Sequence, residues 1–384
     1  MRQSALSAAR AMGDVIVQHR DETEANRRLA TPIVEALIDS KLSRISLPSE
    51  LDGLALPRVE MLQVLEELAG HEAAVPWVLW NMSFFQLLSR FLDPAIRKEV
   101  FADLSWMYAQ STRFKGLAEP KGDGYCVNGR WDLVSGCDLA EWLLLFCLVT
   151  KNGEVQMAGH GPLMRCIIVR KGEYEILDTW HSGGLRGSGS HDVVLKDVFV
   201  PASHTLWVSE ESTLDEPIGR VAIAPPDIGG FAAMMLGLAQ KALDTVVDMA
   251  RTSVTPGPTP DLRDRAVAQR AVAVRRAGLA GARSHLHESI DAIWQKAVAG
   301  DICTSEDRSA AFGAIDCATG LAAETISEMS ALGGTRALYT SSPLERIHRD
   351  QHAMMRHLAA MPIWAENAGQ VMFGMDPEFP LFSV

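Results

Sequence analysis

The apolar residues change their period twice along this 384-residue chain. Through residue 103 they recur at helical spacing. From 104 to 205 they alternate or run continuously over short stretches, and from about 226 the helical spacing returns. Helices present side chains with a period of 3.6 and strands with a period of 2, so neither pattern can bury its apolar face in the other conformation. Three zones follow: an N-terminal helical domain over 1–103, a β domain over 104–205 and a C-terminal helical domain over 206–384. The expected class is α+β, mainly α.

In the first zone, TPIVEALIDSKL has Thr31 as a helix cap and Pro32 at the first helical position, and RVEMLQVLEELAG stops at Gly70. VPWVLWNMSFFQLLSRFL is apolar almost all round, which predicts a core helix. DPAIRKEVF begins another, with Asp93 as its cap. In the second zone, GYCVNGRWDLVSG reads as two short strands around an Asn128-Gly129 turn. EWLLLFCLVT, RCIIVRKG and DVVLKDVFVP add further strands, predicting a small antiparallel barrel or sandwich. In the third zone, four long helical stretches predict a four-helix bundle, with the Pro- and Thr-rich residues 251–260 turning between the first two.

The glycine-rich stretch SGGLRGSGSHDVVLKDVFVP invites a phosphate-cradle reading. Its glycines run into a strand, however, and not into the mouth of a helix, and no Gly-Lys-Ser/Thr follows. A turn between strands fits better. A net charge of −12 argues against a nucleic-acid or anionic-membrane partner. No stretch is apolar enough for a signal peptide or a membrane span. Six cysteines without CxxC spacing predict a reduced, cytoplasmic protein.

The order of helical domain, small β domain and four-helix bundle resembles the acyl-CoA dehydrogenase superfamily over essentially the whole chain. The resemblance rests on NGRWDLVSGCDLAEW, GLRGSGSHDVVLKDVFVP, LGLAQKALD and LGG…PLERIHRD taken in order. That superfamily holds two chemistries. A dehydrogenase needs a carboxylate base to take a proton α to a thioester, and here Asp227 is the only candidate near a family position. The two-component flavin monooxygenases instead carry a histidine where this chain has RDQHAMMRH, and GRWDLVSGCD is similar to their pattern. The resemblance to that branch implies an oxygenase component. It would use reduced FMN or FAD supplied by a separate reductase, with O2 as co-substrate held as a flavin C4a-hydroperoxide, to oxygenate an aromatic or heterocyclic substrate. The alternatives are an acyl-CoA dehydrogenase using FAD and a non-catalytic flavin-fold subunit.

The same resemblance implies site roles. His357 and Ser135 are the catalytic candidates, His357 assisting at the reactive edge of the ring and Ser135 holding the flavin N5 region. Trp106, Tyr108, Gln110 and Ser111 on the first strand, with Gly136, would line the ring. Arg251 would pair with flavin phosphate, and Gly333, Gly334 and Thr335 could face a neighbour's nucleotide. Trp80, Asn81, Ser83, Phe84, Trp180, His191 and Asp227 are candidates for the substrate pocket. Phenol hydroxylases of this branch carry a substrate-orienting histidine where this chain has Asn81 and Ser83, which favours a non-phenolic substrate. His348, His352 and His357 share one predicted helix, yet no metal site is expected from them. The resemblance further implies a homotetramer.

Overall fold

The computed structural model describes residues 4–159, 161–208, 211–252 and 260–383. Most of the predicted loop at 251–260 therefore lies outside the described residues. The N-terminal helices are α1 (Ala5–Ala11), α2 (Gly13–Asn26), α3 (Thr31–Asp39), α4 (Arg58–Ala69), α5 (Ala74–Leu88) and α6 (Pro94–Val100). Thr31 is the first residue of α3 and caps nothing, while Pro32 sits in the first turn as expected. Asp93 caps α6 by accepting from the Ala95 amide at 2.8 Å. Helix α5 is buried on nearly every side, in keeping with its unbroken apolar composition.

The strands are β1 (Met107–Lys121), β2 (Gly124–Val134), β3 (Ala140–Lys151), β4 (Glu154–Val155), β5 (Met157–Ala158), β6 (Gly161–Pro162), β7 (Met164–Arg170), β8 (Glu175–Leu177), β9 (His191–Pro201) and β10 (Thr205–Leu206). The main sheet runs β10-β7-β3-β1-β2-β9-β8, with β4 paired to β3 and the β5–β6 hairpin separate. It is a mixed sheet, and so departs from the expected small antiparallel barrel or sandwich in strand direction and closure. β1 and β3 pair in parallel, and the path of strands is open. The sheet separates two cores: one face packs on the helices, and the other builds a second apolar cluster around Trp131, Val134, Leu143, Leu145 and Val193.

Asn128-Gly129 is not the turn. β2 runs straight through it, and the β1–β2 turn falls at Gly122, whose φ is +59°. Asn128 instead fills a bulge in β9. Its side chain donates to the Asp197 carboxylate at 3.0 Å and accepts from the Asp197 amide at 2.8 Å, with Asp197 at φ +52°. Gly129 opposes Gly116, and a Cβ on Gly116 would lie 2.0 Å from the Trp131 ring. The pair is glycine because an indole crosses it.

The C-terminal helices are α7 (Pro217–Arg220), α8 (Ala224–Thr252), α9 (Ala266–Ala299), α10 (Ser305–Gly333), α11 (Pro343–Met354) and α12 (Ile363–Met372). Long α8, α9 and α10 fill three positions of the bundle. The fourth, expected as one helix, is broken into α11 and α12 by a 3-10 turn at Leu358–Ala360. Among the described residues no helix is long and apolar enough to cross a membrane. None of the six cysteines forms a disulfide.

Candidate active site

The break between α11 and α12 positions the main catalytic candidate. His357 lies on no helix. It is extended (φ −79°, ψ 153°) and caps the 3-10 turn, with Nδ1 accepting from the Ala359 amide at 3.1 Å. An Nδ1 that accepts carries no proton, so the neutral ring bears its hydrogen on Nε2. Three aromatic rings enclose it: Trp80 at 5.2 Å, Trp77 at 5.3 Å, and Phe231 stacked at 6.3 Å. Burial, reinforced by the nearby Arg113 charge, pushes its pKa down to about 4. At neutral pH it is an uncharged hydrogen-bond donor at Nε2.

The open side of His357 faces a cavity of about 420 Å3 between α5, β1, β3, the start of α8 and the C-terminal segment. Trp80, Phe84, Phe114, Phe146, Trp207, Trp364 and Phe379 supply aromatic wall, and Asn81, Gln110, Arg113, Lys115 and Asp227 supply polar groups. Residues 112–115 reach this wall because β1 slips register against β3 between Ser111 and Gly116. Helix α8 starts earlier than the run of small residues indicates. Its Ala-Pro-Pro-Asp first turn carries Asp227, whose backbone carbonyl accepts from Trp80 Nε1 at 2.8 Å. Burial raises the Asp227 carboxyl to about 8, despite the positive Arg58 behind it. A carboxylic acid protonated at neutral pH is a poor base for abstracting a proton from a thioester.

Trp80, Asn81, Phe84, Gln110, Asp227 and His357 thus meet in one cavity. The other expected residues are not part of its wall. Ser83 turns inward, its hydroxyl donating to the Trp80 carbonyl at 2.7 Å. Tyr108 packs in the helical core against Phe101 and Phe85. Trp106 lies under the Arg170 guanidinium, and Ser111 accepts from the Arg113 amide at 3.4 Å. Trp180 donates to the Leu185 and Arg186 carbonyls, and His191 accepts from the Thr179 and Trp180 amides. Arg251 is exposed at the end of α8, while Gly333, Gly334 and Thr335 form the turn after α10. His348 and His352 are exposed on α11, separated from His357 by the helix end.

Ser135 sits one ring away from His357. Its Oγ accepts from Trp77 Nε1 at 3.0 Å and is linked to Ser190 at 2.8 Å, which in turn is linked to Ser188 at 2.7 Å. The adjacent Gly136 amide is already bonded to the Ser188 carbonyl at 2.8 Å. The glycine-rich loop therefore does structural work. Asp350 accepts from the Leu185 amide at 2.7 Å, Arg349 donates to the Gly183 carbonyl at 2.7 Å, and a Cβ on Gly184 would lie 2.1 Å from the Arg349 carbonyl. The turn reading holds, with the loop clamped onto α11 just ahead of His357. Arg113, Lys115 and the C-terminal aromatics escaped sequence reasoning because neither a strand irregularity nor a chain terminus announces which side chains open on a cavity.

A sequence profile described as the acyl-CoA dehydrogenase C-terminal domain matches residues 229–362. The indole-3-acetate monooxygenase of Pseudomonas putida is 27% identical over 93% of this chain and 90% of its own length. The flavin-dependent monooxygenase oxygenase subunit HsaA of Mycobacterium tuberculosis is 27% identical, with 98% of each chain covered. Among solved structures, XiaF from a Streptomyces species, in complex with FADH2 and glycerol, superposes with a TM-score of 0.91 at 25% identity, covering 99% of this chain and 97% of that one. Over nearly its whole length this chain is similar to oxygenase components of flavin-dependent monooxygenases, and it shares their acyl-CoA dehydrogenase-like fold.

Proposed function

We propose that the protein takes reduced FMN or FAD from a separate reductase and uses O2 to oxygenate an aromatic or heteroaromatic substrate in the His357 cavity. The observation that carries this reading is the neutral imidazole of His357, its Nε2–H the one polar group it has left, set in an aromatic enclosure. The donor set fits a planar heterocycle with polar edges: aromatic faces on the walls, and amide, hydroxyl and imidazole groups around them. Bound reduced flavin supplies the two electrons that let dioxygen give one atom to the substrate and the other to water.

The chain's own groups do the rest. His357 Nε2–H stabilises negative charge that develops on oxygen, at low dielectric and without titrating near pH 7. The aromatic walls keep water away. Ser135, linked to Ser190 and Ser188, is a hydroxyl able to turn its proton toward the flavin edge. Ser111 on β1, with Gly136, would border the ring, whereas Tyr108 is held in the helical core and Trp106 against Arg170. Arg251, Gly333, Gly334 and Thr335 would reach the phosphates or nucleotide of the same or a neighbouring subunit. Exposed Val267, Val274, Val298 and Ile302 on or just after α9 support assembly through the bundle, read here as a homotetramer. Cysteines without disulfides support a cytoplasmic location. An indole-3-acetate-like substrate suits both the aromatic walls and the cationic Arg113 and Lys115.

The test is to supply photoreduced FMN or FAD in air, with no reductase and no nicotinamide, together with indole-3-acetate and other arenes. An oxygenated product is expected. No product from any arene, with anaerobic bleaching of bound flavin by an acyl-CoA thioester, would overturn the reading.

A further inference from the structure

Among the described residues, one buried side-chain oxygen in the cavity wall has no hydrogen-bond partner, and its identity is forced by its neighbours. The Asn81 side chain contacts the Trp77 carbonyl at 2.8 Å. A carbonyl only accepts, so the Asn81 group facing it is the NH2, and Asn81 Oδ1 is the atom turned to Gln110. The Gln110 group at 3.1 Å from that oxygen must then be its own NH2. Gln110 Oε1 is left as an acceptor with no donor, on a residue only 8% exposed. The orientation of both amides thus descends from a backbone carbonyl in α5. Buried acceptors without donors are uncommon and costly, so such an atom marks a place where a ligand completes the bonding.

We propose that Gln110 is a specificity-determining residue: its Oε1 accepts a hydrogen bond from a ring N–H or O–H of the aromatic substrate. This rests on the monooxygenase reading of the same cavity and narrows its substrates to hydrogen-bond-donating arenes. Sites that complete a hydrogen bond discriminate against isosteres that cannot make it, because the protein group is then stranded without water. Walls of Trp80, Phe84 and Phe114 accept the rest of a bicyclic ring without preference for its heteroatom.

The experiment compares indole-3-acetate with benzothiophene-3-acetate, which keeps the bicycle and the carboxylate and replaces N–H by sulfur. Binding is read from quenching of tryptophan fluorescence in the full-length protein, without turnover. The wild type is expected to bind the N–H ligand at least about tenfold more tightly, and Gln110→Leu to bring the two within about twofold. Equal affinities in the wild type would overturn the proposal, whatever the variant does. So would a Gln110→Leu protein that keeps the ratio but loses affinity for reduced flavin, since the oxygen would then belong to the cofactor. A preserved ratio in wild type together with failure of oxygen transfer would reject the monooxygenase reading and leave the Gln110 assignment standing.

Discussion

Two hollows in this molecule have nearly the same volume, about 420 Å3 beside His357 and about 430 Å3 between α1, α4, α8 and α9. The second is richly charged, and its charges answer one another. Arg283 meets Glu66 at 2.6 Å, Arg10 meets Glu67 at 3.3 Å, and Gln240 holds Asp244 at 3.1 Å. His287 Nε2 is a buried nitrogen without a partner. The first hollow is mostly aromatic, and its polar atoms are held from behind with one bonding position left over: His357 by Ala359, Gln110 by Asn81. Size and charge therefore do not mark the site. Open bonding capacity inside an aromatic enclosure does.

Four outcomes would break or sharpen that contrast. His357→Ala is expected to lower oxygen transfer by about 100-fold or more. Arg283→Ala, in the charged groove, should leave product formation within about twofold. Comparable losses in both variants, measured as product per reduced flavin supplied, would erase the contrast. The next effect is on stability against pH. Burial depresses the folded pKa of His357 to about 4 from the ordinary imidazole value of 6.5, so the folded state resists the proton that the unfolded chain accepts. Its contribution is present above pH 6.5 and is lost as pH falls toward 4, on the order of 3 kcal/mol in all. Urea titrations of wild type and His357→Ala should converge at the acid end of this window.

A smaller effect belongs to the ion pair of the second hollow. Arg283→Ala strands Glu66, whose carboxyl burial already raises, and should cost about 1–2 kcal/mol in urea unfolding. The smallest concerns the cationic side of the first hollow. Arg113 is half exposed and shares its charge with Asp132 at 3.2 Å. Arg113→Gln should weaken binding of an aromatic carboxylate about three- to fivefold at low salt, and less as salt rises, while binding of the matching amide stays level. Equal weakening of acid and amide would assign Arg113 to shape and not to charge.

The helical caps and stops were legible because they are local. Pro32, Gly70, Asp93 and the Gly333-Gly334 pair each act within one turn of chain. Asn128-Gly129 misled for the same reason: its local turn signal gives way to a bulge set by Asp197 on another strand. His357 was found through a resemblance, yet its setting depends on the break of the fourth bundle position, which has no strong breaker before Pro362. Gln110 was placed on the right strand, but its open oxygen is defined by Asn81, 29 positions earlier. Such partnerships arise only when β1 crosses α5, and no periodicity in either segment encodes them.

The central claim is that oxygen from dioxygen reaches an aromatic substrate in the cavity beside His357. It is tested most directly with ¹⁸O-labelled dioxygen, photoreduced flavin and an N–H-bearing arene, followed by mass spectrometry of the product. One labelled oxygen atom per product molecule is predicted for the wild type, with little product from His357→Ala. Product carrying oxygen only from water, or flavin oxidised with all the dioxygen recovered as hydrogen peroxide, would contradict it.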